Sequence, residues 1–164
     1  MKKSIKRIAF GTAVMVAGIL TVRWVESKMK LSESNLNRQS QYYDALLDWI
    51  DNMQQHRKIS AFLLEKGYDN IAIYGKGTLG FLLCRELENT EVGIEYFVDQ
   101  TADEYSSEVN GIPVIRKDGI ARKKPVDAII VTPIHVYDNI KNDLKNAGVT
   151  VPIISLSEVI LEAK

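Results

Sequence analysis

The sequence predicts an α/β fold, a doubly wound and mostly parallel sheet preceded by two helical segments, and three observations carry that prediction. From Asp69 onward, short runs rich in β-branched residues alternate with runs of helical periodicity, the pattern of parallel strands covered by helices on both faces. One such run, Val126 to Thr132, is nearly continuous in apolar residues, as a strand deep in such a sheet requires. Another, Ile71 to Tyr74, leads directly into Gly75, Gly77 and Gly80 and then into a helix-patterned segment.

The 164 residues suffice for one domain with a sizeable core plus an appendage. Lys and Arg number 21 and Asp and Glu number 21, a balance that argues against general attraction to nucleic acid. The single cysteine, Cys84, cannot form an internal disulfide, and its place in the apolar pattern of a helix reads as a packed thiol. The two histidines, His56 and His135, are far apart in sequence with no cysteine nearby, so the expectation for metal is none.

Taken in order, residues 1–30 read as a hydrophobic, membrane-associated helix. Lys2, Lys3, Lys6 and Arg7 precede an uncharged stretch from Ile8 to Val22, and Arg23 and Trp24 follow. A basic front, an apolar middle and an interfacial tryptophan describe a segment that meets a membrane, though its length is marginal for a full span. A secretory signal would want a small-residue cleavage site, which is not evident here; a buried helix of a soluble protein is the other reading. Residues 31–66 read as linker and amphipathic helices. Ser27 to Gln41 is polar, a linker or a frayed helical continuation. Tyr43, Leu46, Leu47, Ile50 and Met53 then recur at helical spacing, which predicts a helix packed on the following domain or used as a dimer or partner helix; Trp49 reads as packing. Ile59 to Lys66 forms a short helix stopped by Gly67.

Residues 67–164 form the sheet domain. The expected strands are Ile71–Tyr74, Gly93–Val98, a short edge strand over Gly111–Ile115, Val126–Thr132 and Pro152–Ser155. Pro113 assigns the third of these to an edge, since it cannot donate to a central ladder. Gln100 to Asn110 reads as a polar excursion. Helices are expected over Leu79–Leu87, over His135–Ala147 with Val136, Ile140 and Leu144 facing inward, and over a final turn at Ser157–Leu161.

The glycines of Gly75-Lys76-Gly77-Thr78-Leu79-Gly80 each have a physical use at a strand-to-helix turn. Gly75 permits the tight turn, Gly77 lets a pyrophosphate approach the backbone, and Gly80 lets helix and strand pack closely. The free N–H groups and positive dipole end of the helix then face an anion. Asp99 ends the second strand at the separation from Gly80 at which a carboxylate reaches ribose hydroxyls. Thr132 and His135 follow the deepest strand, at the carboxyl edge of the sheet, where Thr132 is a candidate partner of a ligand oxygen and His135 a weak candidate acid or base. Tyr74 and Lys76 are candidates for contact with base or phosphate. Lys76 lacks P-loop spacing. Tyr137 and Lys141 have the spacing of a dehydrogenase Tyr-Lys pair, but lie on what reads as ordinary sheet cover.

The runs Ile71 to Gly80, Tyr96-Phe97-Val98-Asp99, Gly111-Ile112-Pro113-Val114 and Val126 to Thr132 together resemble the Rossmann-like nucleotide-binding domain attached to bacterial surface-polysaccharide enzymes. Such domains occur in nucleotide-sugar acetyltransferases, membrane-bound nucleotide-sugar epimerase/dehydratases and sugar C-methyltransferases. The resemblance implies that Gly75, Gly77, Gly80 and Asp99 take the nucleotide, a nucleotide-sugar or an NAD-type dinucleotide. The chain departs from those relatives in carrying no left-handed β-helix repeat and no second catalytic domain.

The expectation is a membrane-associated nucleotide-binding module, its globular domain on the cytoplasmic side, serving polysaccharide-biosynthesis enzymes. A small NAD-dependent oxidoreductase or epimerase and a ligand-free scaffold or homo-oligomerisation protein stay open beside it, and the sequence leaves undecided whether any reaction is catalysed.

Overall fold

The structure is a computed structural model that describes residues 2–102 and 107–163, with side chains described from residue 19 onward, Ser107 excepted. The first helix, α1, runs over Lys2–Gln54, and the chain divides into two compact units, Met1–Ser40 and Gln41–Lys164.

The described part of the first unit is helical throughout. The stretch Ser27 to Gln41 is therefore helix and not linker. It contains no glycine or proline to break the backbone, and Ser27 Oγ donates to the Trp24 carbonyl at 2.8 Å, a bond that helix geometry offers. Among the described residues no helix is long and apolar enough to cross a membrane. The apolar stretch Ile8 to Val22 lies largely outside the residues whose side chains are described. Ile19, Val22, Val25, Met29 and Leu36 are all exposed.

In the second unit α2 (Ile59–Glu65) is followed by β1 (Asn70–Tyr74), α3 (Thr78–Leu87), β2 (Gly93–Val98), β3 (Ser107–Val109) and β4 (Ile112–Ile115). After a 3₁₀ turn at Lys117–Arg122 come β5 (Ala128–Val131), a second 3₁₀ turn at Ile134–Val136, α4 (Tyr137–Asn146), β6 (Ile153–Ser155) and α5 (Leu156–Glu162). The six strands lie in the order β3-β4-β2-β1-β5-β6. All pairs are parallel except β3 with β4.

Alternation along the strands makes two cores. Ile71, Ile73, Phe97, Ala128 and Ile130 face one side and pack against α1, α2, α3 and α5 through Trp49, Leu63, Leu83 and Ile160. Ala72, Tyr74, Tyr96, Val98, Ile129 and Val131 face the other and meet Ile140 and Leu144 of α4. Strands buried on both faces are what the apolar runs demanded.

The structure also corrects the sequence reading of β3, of β4 and of the packing face of α1. Gln100–Asn110 contains strand β3, which pairs antiparallel with β4 through Glu108 opposite Pro113. In consequence β4 is not an edge strand: it lies between β3 and β2. The proline is tolerated because the parallel ladder with β2 begins only at Val114, one residue later. Third, α1 does pack on this domain, but through a different face. Ala45, Trp49 and Asn52 are buried, whereas Tyr43, Leu47, Ile50 and Met53 of the expected apolar stripe are exposed. Polar bonds select that face. Asn52 Nδ2 donates to the Ile160 carbonyl at 2.7 Å, and Trp49 Nε1 donates to Glu86, whose other carboxylate oxygen accepts from Ile59 N at 3.1 Å.

Candidate functional site

The loop after β1 is held by bonds from two neighbouring segments, the end of β2 and the residue after β5. Gly75, at φ +102°, takes a backbone conformation open chiefly to glycine, and its N–H donates to the Val98 carbonyl at 2.8 Å. Thr132, directly after β5, donates its N–H to the Tyr74 carbonyl at 3.0 Å. Its buried hydroxyl donates to the same carbonyl at 3.0 Å and stands 3.3 Å from that of Gly75. Its proton thus clamps the loop backbone, which leaves the hydroxyl oxygen as an acceptor for a ligand hydroxyl. A Cβ on Gly75 would stand 2.7 Å from that hydroxyl and 2.9 Å from the Pro133 ring.

Gly80 and Gly77 differ from each other. A Cβ on Gly80 would meet the Gly75 carbonyl oxygen at 2.1 Å, so α3 approaches the loop as closely as only glycine allows. A Cβ on Gly77 would meet nothing within 4 Å. That residue is exposed, and it caps α3 with φ −82° and ψ −173°, which any residue adopts. The space over Gly77 is open to whatever approaches the first turn of the helix.

Asp99 closes the arrangement from β2. Its Oδ2 accepts from Lys76 N at 2.9 Å, and its Oδ1 accepts from the Thr101 N–H at 2.8 Å and hydroxyl at 2.7 Å. Partial burial works against its charge, but the bonds from Lys76 and Thr101, with the Lys76 ammonium, outweigh it and hold the carboxyl below the usual carboxylate range. A carboxylate offers about four acceptor positions, so roughly one is left for an incoming hydroxyl.

Beside this loop lies a cavity of about 300 Å³ lined by Tyr42, Leu46, Gly77, Thr78, Leu79, Thr132 and Pro133. It sits beyond the carboxyl ends of β1 and β5. From β1 the chain proceeds to β2 on one side, while β5 and β6 lie on the other, so this is the crevice where strand order reverses and where open α/β sheets place their ligands. Of the expected residues, Gly77, Thr78, Leu79 and Thr132 line this cavity, while Gly75, Lys76, Gly80 and Asp99 belong to the adjoining loop and its supports without lining it. Tyr42 and Leu46 were missed. They arrive from α1, and only the helical spacing that joins Leu46 to Tyr42 hinted that they share a face.

The other candidates fall outside the cavity. His135 is exposed in the 3₁₀ turn before α4, not in the helix expected for it, since Val136 (φ −125°, ψ 20°) interrupts helical geometry. It is joined to the cavity lining through Tyr42, whose hydroxyl hydrogen-bonds His135 Nδ1 at 3.2 Å. Tyr74 turns its ring into the core beneath the sheet, so it does not present a face to a base. Tyr137 and Lys141 do meet, with Nζ donating to the phenol oxygen at 2.9 Å, but the Tyr137 hydroxyl is spent on the Ile153 carbonyl at 2.8 Å. Cys84 is buried, and its burial raises the thiol pKa, the state of an inert packed thiol.

A family model described as C2185-like, N-terminal, matches residues 67–154, the stretch that holds the glycine loop, Asp99 and Thr132. No curated protein matches the chain.

Proposed function

The chain belongs to the C2185-like N-terminal family, and from that premise we propose that its sheet domain is a Rossmann-like module binding a nucleotide, as a nucleotide-sugar or an NAD-type dinucleotide, at the Gly75–Gly80 loop. The observation that carries this reading is the juxtaposition of the unobstructed Gly77, the first turn of α3 and the Asp99 carboxylate at one point of strand-order reversal. Backbone N–H groups of a helix start attract phosphate, and a carboxylate fixed at the tip of the next strand accepts from ribose hydroxyls. The cavity of about 300 Å³ is at the small end of ligand pockets, which favours one nucleotide unit inside it and the remainder of the ligand outside. The resemblance to domains of surface-polysaccharide enzymes supports a role beside such enzymes, with a membrane-associated amino terminus and the sheet domain in the cytoplasm.

The test is thermal unfolding of the chain with NAD, NADP, UDP-sugars and CMP-sugars, read together with amide NMR shifts. A ligand at about 100 times its dissociation constant adds roughly 2.7 kcal/mol, and its amide shifts are expected to centre on residues 75–80. If none of these compounds moves either readout in a folded sample, the proposal fails.

One observation favours a second reading, a small NAD-dependent oxidoreductase or epimerase. The Tyr42–His135 hydrogen bond stands at the rim of the same cavity and pairs a phenol with an imidazole, two groups able to pass a proton. On that reading a His135→Ala chain loses turnover on a found substrate while keeping ligand affinity. Undiminished turnover removes His135 from the chemistry.

A further inference from the structure

The helix α1 carries a repeat of which the sheet domain and its cavity use Leu46 and leave the other apolar members exposed. Val22, Met29, Leu36, Tyr43 and Ile50 follow one another at intervals of seven residues. Taken as the a positions of a heptad, they place Val25, Ser32, Gln39, Leu46 and Met53 at d. A strict seven-residue period differs from the 3.6-residue turn of a straight helix, and it is maintained where a helix supercoils around another helix of the same period.

Leu46 packs against the core of the second unit, but among the described residues the other apolar members of the repeat lack a partner surface within either unit. In the first, Val22, Val25, Met29 and Leu36 are exposed, between 47 and 63%. In the second, Tyr43, Ile50 and Met53 are exposed although α1 packs on its own domain there, because that packing uses Tyr42, Ala45, Trp49 and Asn52, at positions g and c. Leu46, Ile50 and Met53 also border an apolar groove of about 470 Å³ whose other wall is Leu82, Arg85 and Glu86 of α3.

We propose that α1 forms a parallel, in-register coiled coil with α1 of a second copy of this chain. The repeat requires a partner helix of identical period, which a second copy supplies by construction. In a parallel pair a g residue faces the e residue of the next heptad on the partner. Lys28 is at g and Glu33 is the following e, so an in-register homodimer brings opposite charges together twice, once on each side of the two-fold axis. Ser32 and Gln39 at d face their own copies in that register and find hydrogen-bonding partners. Polar residues inside a seam weaken association and fix its register, so they specify this alignment over a slipped one.

The full chain in detergent micelles, with Cys84 left in place because it is buried, gives the test. Val22→Cys and Ile50→Cys each place a thiol at a, and Ser34→Cys places one at the outward f position. Mild oxidation is expected to link Val22→Cys to itself and Ile50→Cys to itself, while Ser34→Cys stays unlinked. Light scattering of the unmodified chain is expected to give twice the chain mass. A monomeric mass overturns the proposal. So does a mixture in which Val22→Cys links only to Ile50→Cys, which is the signature of an antiparallel pair, and so does equal linkage through Ser34→Cys.

Discussion

The two ends of the parallel sheet carry cavities of opposite character. At the amino ends of β5 and β6 lies the larger, a groove of about 490 Å³ between the 3₁₀ turn at Lys117–Arg122 and the segment Ala147–Val151. At the carboxyl ends of β1 and β5 lies the smaller, about 300 Å³. In the larger groove the basic residues Lys117, Lys123 and Lys124 stand at the rim in contact with solvent, two of them already paired with carboxylates of Asp143 and Glu95. On the loop beside the smaller one, a buried hydroxyl, a carboxylate with three donors and two sterically required glycines converge. The contrast teaches that convergent polar groups on constrained backbone, not volume, mark the better candidate for a site.

The largest effect is expected from closing the approach of α3 to the loop. Gly80→Ala puts a methyl 2.1 Å from the Gly75 carbonyl oxygen, and neither partner is the flexible end of a side chain. Overpacking against backbone costs about 3 kcal/mol, so chemical denaturation should show a loss of that order, with β1 and α3 losing amide protection together. A loss below about 1 kcal/mol, the lower bound of such effects, would mean that the close approach is not rigid and that the carboxyl end is no more constrained than the amino end.

Asp99→Asn comes next. The carboxylate accepts from Lys76 and Thr101; an amide accepts on one atom only and turns its own N–H groups toward donors. A loss of about 1–2 kcal/mol at neutral pH follows for a partly exposed site. Because the folded-state pKa lies below the usual value, the charged form favours the fold. Its contribution is complete above the ordinary carboxylate pKa near ~3.9 and disappears as pH falls through the lower folded value. The stability gap between the natural chain and Asp99→Asn should therefore be constant above about pH 5 and narrow below about pH 4, as measured by urea unfolding across that range. A gap that stays constant down to pH 2 would show that the carboxylate does not hold the loop through its charge.

Much of this was legible before any coordinates. The glycine spacing and Asp99 located the loop because each rests on local backbone requirements that sequence records directly: a turn, a close approach, a strand end. Strand β1 and strand β2 were readable for the same reason, as short apolar runs bounded by polar turns. What was not legible depended on pairing between distant segments. The strand Ser107–Val109 looks like polar loop, since it becomes strand only by pairing with β4, and Pro113 looked like an edge marker because the register of β4 on β2 is not written in β4 itself. The buried face of α1 was hidden for a related reason. The helix offers two apolar stripes, and Asn52 and Trp49 decide between them by finding the Ile160 carbonyl and Glu86 more than thirty residues away. Tyr42 entered the cavity unannounced on the same face.

The smallest expected effect on folding is the one that most sharpens the difference between the two ends. Gly77 has dihedrals open to alanine and nothing within 4 Å of a new methyl. Replacing a glycine N-cap by alanine costs from a few tenths to about 1 kcal/mol, and the reduced freedom of the unfolded chain returns a similar amount. Gly77→Ala should thus leave unfolding within about 0.5 kcal/mol of the natural chain and, if the proposed nucleotide binding holds, remove most of the thermal shift the nucleotide gives, because the methyl stands where phosphate would meet the helix start. At the other end Lys123→Glu reverses an exposed charge on the wall of the larger groove, and both the unfolding midpoint and the nucleotide shift should stay unchanged within the roughly 0.5 kcal/mol typical of surface substitutions. Should Lys123→Glu abolish the nucleotide shift and Gly77→Ala preserve it, the ligand would belong to the amino end, and the constraints gathered around the glycine loop would serve packing alone.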